Sequence, residues 1–215
     1  VAEQFSNRDG LILVEKLIEK IRENKAYLSE VDGAIGDGDH GINMSKGFTL
    51  TTERLTEKMS LSEGLKMLGR TLIMEIGGAM GPLYGSFFKA LANESKDSVM
   101  IDIQVFGRML EAGYAAVVEL GHARVGDKTL VDALQPAVAA YLEAESSGVG
   151  FKEALVRMSA AAEQGKESTK ALVAKVGRAS RLGERTRGFL DAGATSCYLI
   201  LHSMADTISS ILLAG

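Results

Sequence analysis

The sequence predicts an all-α protein, a single domain over residues 1–215 built from about eight antiparallel amphipathic helices. Three observations predict it. Apolar residues recur at three- and four-residue steps through most of the chain, with charged residues between them. Sustained apolar/polar alternation rich in Val, Ile and Thr, which would mark half-buried strands, is missing. Only two prolines interrupt the chain.

The first helix carries Leu11, Val14, Ile18 and Ile21 on one face and Glu15, Lys16, Glu19 and Lys20 on the other. Further helical stretches fall at about 40–57, 62–76 and 82–94, the last opened by Pro82, whose fixed φ and missing N–H suit a helix start. Phe106, Met109, Leu110, Gly113, Val117 and Leu120 mark a fifth helix. Stretches at about 127–145 and 151–173 follow, and Pro136 predicts a local kink in the first of these. Cys197, Leu201, Met204, Ile208 and Ile211 mark the last helix, in which Cys197 reads as a small buried apolar side chain.

Composition bounds the function. A net charge of −4 argues against a nucleic-acid binder, whose affinity rests on excess Lys and Arg. No apolar run reaches the length of a membrane span. A single cysteine excludes an internal disulfide and fits a reducing, cytoplasmic setting.

The joints between helices carry the chemistry. Glycines cluster at 33–41, 77–85, 121–126 and 177–193, together with Asp, Asn, Arg, Lys and Thr. A lone glycine between helices is usually a C-cap. Four polar clusters ask for more. They follow the first, third, fifth and seventh helices, so an antiparallel array brings them to one end as a composite site.

In the first cluster, Asp32, Asp37 and Asp39 stand within eight residues and repel one another unless a cation lies between them. The letters Gly36 to Gly41 satisfy the dinucleotide pattern G-x-G-x-x-G, but they follow a helix rather than a strand. An EF-hand beginning at Asp37 would have Ile42 for its turn glycine and Phe48 for its bidentate glutamate. Magnesium fits better, because it takes few protein carboxylates and shares its shell with phosphate oxygens. The bland alternative is a solvated acidic turn in which Asp39 N-caps the next helix.

His40 and Asn43, one helical turn apart, could reach the same phosphate, whereas His122 and His202 have no such company. The turn Gly77-Gly78-Ala79-Met80-Gly81-Pro82 exposes backbone N–H groups at a helix start, which suits an anion. Between Lys175 and Gly188 five basic residues gather, including Arg178. A basic segment facing an acidic metal loop suits a nucleotide lid, and an Arg there could stabilise charge on a transferring phosphoryl group.

Taken in order, D-G-x-I-G-D-G-D-H-G-x-N-M, G-G-A-x-G-P-L-Y-G, G-D-K-T-x-x-D, G-R-A-S-x-L-G-E-R and D-x-G-A-T-S, from Asp32 to Ser196, resemble the L subunits of bacterial dihydroxyacetone kinases. The resemblance implies a closed up-and-down barrel of eight helices with the nucleotide site at one end. It implies two Mg²⁺ ions held by Asp32, Asp37 and Asp39, bridging the phosphates of ADP or ATP. Phosphate and sugar contacts map onto His40, Gly41, Ile42, Asn43, Ala79, Met80 and Arg178. Adenosine-side contacts map onto Gly121, Leu130, Asp191, Ala192 and Gly193. Asp32, Asp37, Asp39 and Arg178 are the residues it places in catalysis.

The resemblance further implies that the sugar is bound on a separate K subunit. ADP is either rephosphorylated by a phosphotransferase-system M subunit or replaced by ATP, and a homodimer and contact with a transcription regulator belong to the same picture. The chain departs from the family pattern at Met80 (for Ser), Leu130 (for Met), Arg181 (for Tyr), and in Gly188 to Gly193, where a His and a Pro are lost and Ala192 takes the Pro position. These departures leave open a paralogous subunit serving another keto-sugar or tetrose, or a mainly regulatory partner protein.

Overall fold

A computed structural model of the chain describes residues 3–214. Among them are nine α-helices: α1 (Leu11–Glu23), α2 (Lys25–Ile35), α3 (His40–Thr52), α4 (Leu61–Glu75), α5 (Met80–Ser95), α6 (Ile103–Gly121), α7 (Val131–Ser146), α8 (Phe151–Ser168) and α9 (Ala192–Ala214). Short 3₁₀ turns lie at Thr169–Ala171 and Arg178–Thr186. The all-α expectation holds, with one small exception. Strands β1 (Gln4–Ser6) and β2 (Met100–Asp102) pair antiparallel, Phe5 opposite Ile101. Three residues apiece are too few to show alternation in a sequence.

Helix boundaries differ from expectation where polar side chains compete with the helix. The expected single helix from Leu11 into the aspartate cluster is broken at Asn24, whose side-chain amide donates to the Lys20 carbonyl at 2.8 Å. The helix expected from 127 begins at Val131, because the Asp132 carboxylate accepts the N–H groups of Gly126 and Thr129, both at 2.7 Å, and folds 126–130 into a tight loop. Lys128 in that loop takes a positive φ of 64°. The helix expected to reach 57 stops at Thr52, and the one expected to reach 173 stops at Ser168. Helix α4 starts on a capping box, Ser60 accepting the Glu63 N–H and Glu63 accepting that of Ser60, worth about 1 kcal/mol.

Pro136 lies inside α7, which continues through it. Proline cannot donate to the Asp132 carbonyl one turn back. That carbonyl instead lies against Gly165 of α8, where a side chain would overlap it.

Successive helices from α3 to α9 pack side by side, and α9 also lies against α1 and α7. The interior is one continuous core. Phe48, Phe87, Phe88 and Tyr84 form one aromatic group, with Phe87 and Phe88 edge-on at 5.2 Å. Phe106, Tyr141 and Phe151 form a second. Cys197 is buried in α9, as expected. None of the described helices is long and apolar enough to cross a membrane.

Candidate nucleotide and metal site

The four polar joints do meet. A cavity of about 770 Å³ is lined by residues from 32–44, 76–83, 117–131, 176–179 and 191–193. Its volume falls in the range of small-molecule sites. The first residues of α3, α5, α7 and α9 (His40, Met80, Val131 and Ala192) all line it. First-turn N–H groups lack intrahelical acceptors; those of α7 are taken up by Thr129 and Leu130, but the starts of α3, α5 and α9 around one cavity favour an anionic ligand.

Asp32 occupies the last turn of α2, while Asp37 and Asp39 sit in the loop to α3. One oxygen from each of the three carboxylates lies within 4.8 Å of the others. Asp39 holds the N-cap position of α3, but its side chain makes no capping hydrogen bond. The α3 start is capped from elsewhere: Asp32 Oδ2 accepts the His40 N–H at 3.2 Å. The bland alternative of an Asp39 cap is therefore not what the loop does, and Asp39 stays available to a cation. In the structure the positive charge between the aspartates is Arg178, whose guanidinium pairs with Asp37 and lies 3.9 Å from Asp39. Three hard oxygen donors in an anion-friendly cavity fit Mg²⁺.

The cavity lining includes most residues the sequence singled out: Asp32, Asp37, Asp39, His40, Asn43, Ala79, Met80, Gly121, Leu130, Arg178, Asp191, Ala192 and Gly193. Gly41 and Ile42 are outside it. Gly41 packs against α2, where a side chain would overlap the Lys25 carbonyl and Ser29, and Ile42 is half exposed. Neither His122 nor His202 lines the cavity. His202 pairs with Ser159 and Asp206 between α8 and α9.

His40 turns its Nε2 inward to Ser196 Oγ at 2.9 Å, and Tyr84 meets the same oxygen at 2.6 Å. Burial lowers the His40 pKa to about 4, so the imidazole is neutral near pH 7. Asp191 caps α9, accepting the Ala194 N–H at 2.7 Å, and desolvation pushes its carboxyl up to about 7.

Several site residues escaped the sequence reading. Lys128 is buried, and its ammonium donates to the carbonyls of Thr169 and Phe189, both at 2.5 Å. It thus ties together the two ends of the basic segment that carries Arg178. The density of polar residues in G-D-K-T marked this loop as important but not which side chain acts. Met44, Ile76, Leu83, Val117, Leu120 and Ala123 supply an apolar wall. Their helical spacing matches that of any core face.

The chain matches the family described as DAK2 domain over residues 34–206. It is 39% identical, over 88% of its length and 90% of the relative's, to the ADP-binding subunit DhaL of PEP-dependent dihydroxyacetone kinase 1 from Listeria innocua. It is 38% identical to the corresponding PTS-dependent subunit from Lactococcus lactis, over 90% of this chain and 94% of that one. It is 31% identical over 87% of its length to an L-erythrulose kinase from Pectobacterium atrosepticum, of which it spans 32%. The crystal structure of the dihydroxyacetone kinase of C. freundii superposes with a TM-score of 0.69 at 23% identity, covering 96% of this chain and about a third (36%) of that one. A match across most of the chain, with the motif residues gathered around one cavity, settles the family: this chain belongs to the DAK2 domain family, alongside the DhaL subunits.

Proposed function

We propose that this chain is the nucleotide-binding phosphotransferase subunit of a dihydroxyacetone kinase. It presents Mg-bound ADP or ATP for phosphoryl transfer to a sugar held on a separate K subunit. The observation that carries this reading is the convergence of Asp32, Asp37 and Asp39 on the cavity where four helices begin. The names of the Listeria and Lactococcus relatives support it. Helix α9 lying against α1 supports a closed up-and-down barrel with this site at one end.

The aspartates would hold two Mg²⁺ ions, which supply positive charge to the phosphate oxygens. The chain's own residues do the rest. Arg178, two-thirds exposed, is free to turn from Asp37 and Asp39 to the transferring phosphoryl group. The α3 and α5 starts offer N–H donors, with His40 and Asn43 on the α3 side and Ala79 and Met80 on the α5 side. Leu130, Gly121, Asp191, Ala192 and Gly193 border the space left for the adenosine. Phosphoryl transfer rests mainly on positioning and charge neutralisation, so a subunit without a sugar pocket is chemically sufficient.

The donor is a phospho-histidine M subunit in the first reading and exchangeable ATP in the second. An erythrulose acceptor is the alternative supported by the Pectobacterium relative and by Met80, Leu130 and Ala192, departures that all border the cavity. A homodimer, a cytoplasmic location and contact with a transcription regulator complete the proposal. The test is a coupled assay with dihydroxyacetone or erythrulose, with the chain alone and with a K subunit added. Turnover only in the presence of the K subunit is expected. Robust turnover by the chain alone would contradict the division of labour.

A further inference from the structure

We propose that Ser196 and Tyr84 are positioning residues of the nucleotide site. Their hydroxyls form a directed chain that holds the His40 ring with Nδ1–H turned into the cavity as a phosphate donor. The proposal rests on the reading that this cavity holds nucleotide phosphates.

Three buried side chains from three helices meet at one oxygen. Ser196 Oγ, fully enclosed on α9, lies 2.6 Å from the Tyr84 hydroxyl of α5 and 2.9 Å from His40 Nε2 of α3. Both hydroxyls also approach the Gly193 carbonyl, but at 3.1 and 3.2 Å. Each hydroxyl carries one hydrogen, so these four approaches cannot all be donated to at once.

The two short contacts fit two directions, either His40 Nε2–H to Ser196 to Tyr84 to the Gly193 carbonyl or Tyr84 to Ser196 to His40 Nε2. A phosphate in the cavity selects the second, in which Tyr84 O–H donates to Ser196 Oγ and Ser196 O–H donates to His40 Nε2. The longer Gly193 approaches are then secondary, and the helix ladder of α9 is left to serve that carbonyl. A neutral imidazole that accepts at Nε2 carries its proton on Nδ1.

Nδ1 has somewhere to donate. No protein group pairs with it among the described residues. Nor is it an enclosed orphan, since among the described residues the one enclosed side-chain N or O atom without a partner is Ser29 Oγ. His40 lines the cavity, so Nδ1 opens onto it. With the opposite tautomer, a nitrogen lone pair would face the phosphate oxygens and repel them. The same chain of hydroxyls braces the starts of α3 and α9 against α5, next to Asp39 and Gly193.

The experiment is nitrogen NMR of the three histidines, assigned by single substitution, combined with calorimetric titration of ADP in Mg²⁺. In the parent, His40 should show a protonated Nδ1 and an unprotonated Nε2, and ADP should move the Nδ1 resonance. Ser196→Ala removes the donor to Nε2 and should weaken ADP by about tenfold, the loss of one hydrogen bond to a charged group. Tyr84→Phe keeps the ring and its packing, so it remains informative if Ser196→Ala fails to fold. It should raise the population of the Nε2–H tautomer and weaken ADP less. A parent with Nε2 protonated, or full ADP affinity in both variants, overturns the proposal. ADP binding that leaves every His40 resonance unmoved places the phosphates elsewhere and overturns the underlying site reading as well.

Discussion

Gly41→Ala tests whether the close approach of α2 to α3 sets the metal site. Asp32 rides on the last turn of α2 and Asp39 stands at the head of α3, so the spacing of these helices fixes the spacing of the carboxylates. A Cβ on Gly41 would lie 2.6 Å from Ser29 Oγ and 2.8 Å from the Ser29 backbone nitrogen, and nearer still to the Lys25 carbonyl oxygen. Two of these three atoms belong to backbone, which cannot swing aside. Restoring ordinary van der Waals separation moves the helices apart by about 1 Å. Overpacking of this kind costs about 1–3 kcal/mol of stability. Octahedral Mg²⁺ demands oxygens at about 2.0–2.1 Å, so carboxylates separated by a further ~1 Å no longer share it. Calorimetry should show Mg·ADP affinity down by at least about tenfold, 1.4 kcal/mol, and urea denaturation should show the stability loss in parallel. If Gly41 served only as a backbone contact to the nucleotide, affinity would fall while stability stayed at the parent value. Parent values of both would refute the packing argument.

Other consequences are open to measurement. Lys128→Met leaves the Thr169 and Phe189 carbonyls without their donor; after the relief of no longer burying a charge, a net loss of about 1–3 kcal/mol is expected, with faster amide exchange in 170–190, and unchanged exchange would show that Lys128 does not anchor this segment. Asp191 ionises near pH 7 when folded against an ordinary value of 3.8, so the folded state holds the extra proton and stability falls as pH rises from about 4 to about 7. Asp191→Asn stays neutral and keeps the cap; its stability advantage over the parent should grow across that window by a few kcal/mol at most, and a constant difference would contradict the raised value. Met80 and Ala192 are the first residues of α5 and α9 and line the cavity, where a serine at 80 would offer phosphates a hydroxyl and a proline at 192 suits the first helical position. Met80→Ser with Ala192→Pro should therefore slow ADP release in stopped-flow displacement, and unaltered release would make these departures neutral.

The helices were legible because amphipathic periodicity is a local signal: Leu11 to Ile21 and Phe106 to Val117 repeat at helical steps and bury the predicted face, while Leu120, expected on the same face, is half exposed at the cavity. Boundaries were not, because each depends on one side chain finding a backbone partner. Asn24 reaching Lys20, and Asp132 reaching Gly126 and Thr129, cannot be read from spacing. In the site, charge density made the aspartates and Arg178 conspicuous. Lys128 looked like one more basic residue until its ammonium proved buried on two carbonyls. Ser196 and Tyr84 carry no charge and sit at apolar spacing, so only their meeting at His40 sets them apart. Gly41 fell inside a motif suggestive of phosphate contact, but its tight fit against α2 is a tertiary fact.

The central claim is that Asp32, Asp37 and Asp39 make this cavity a Mg²⁺-dependent nucleotide site. Calorimetric titration of the parent and of Asp37→Asn with ADP, in Mg²⁺ and in EDTA, tests it directly, with circular dichroism reporting the fold. Asp37 is exposed and, among the described residues, pairs only with Arg178, so the variant should keep its helical spectrum. The account predicts one ADP site in the parent that needs Mg²⁺ and is abolished in Asp37→Asn. ADP binding that survives EDTA, or that Asp37→Asn leaves at parent affinity, would contradict it.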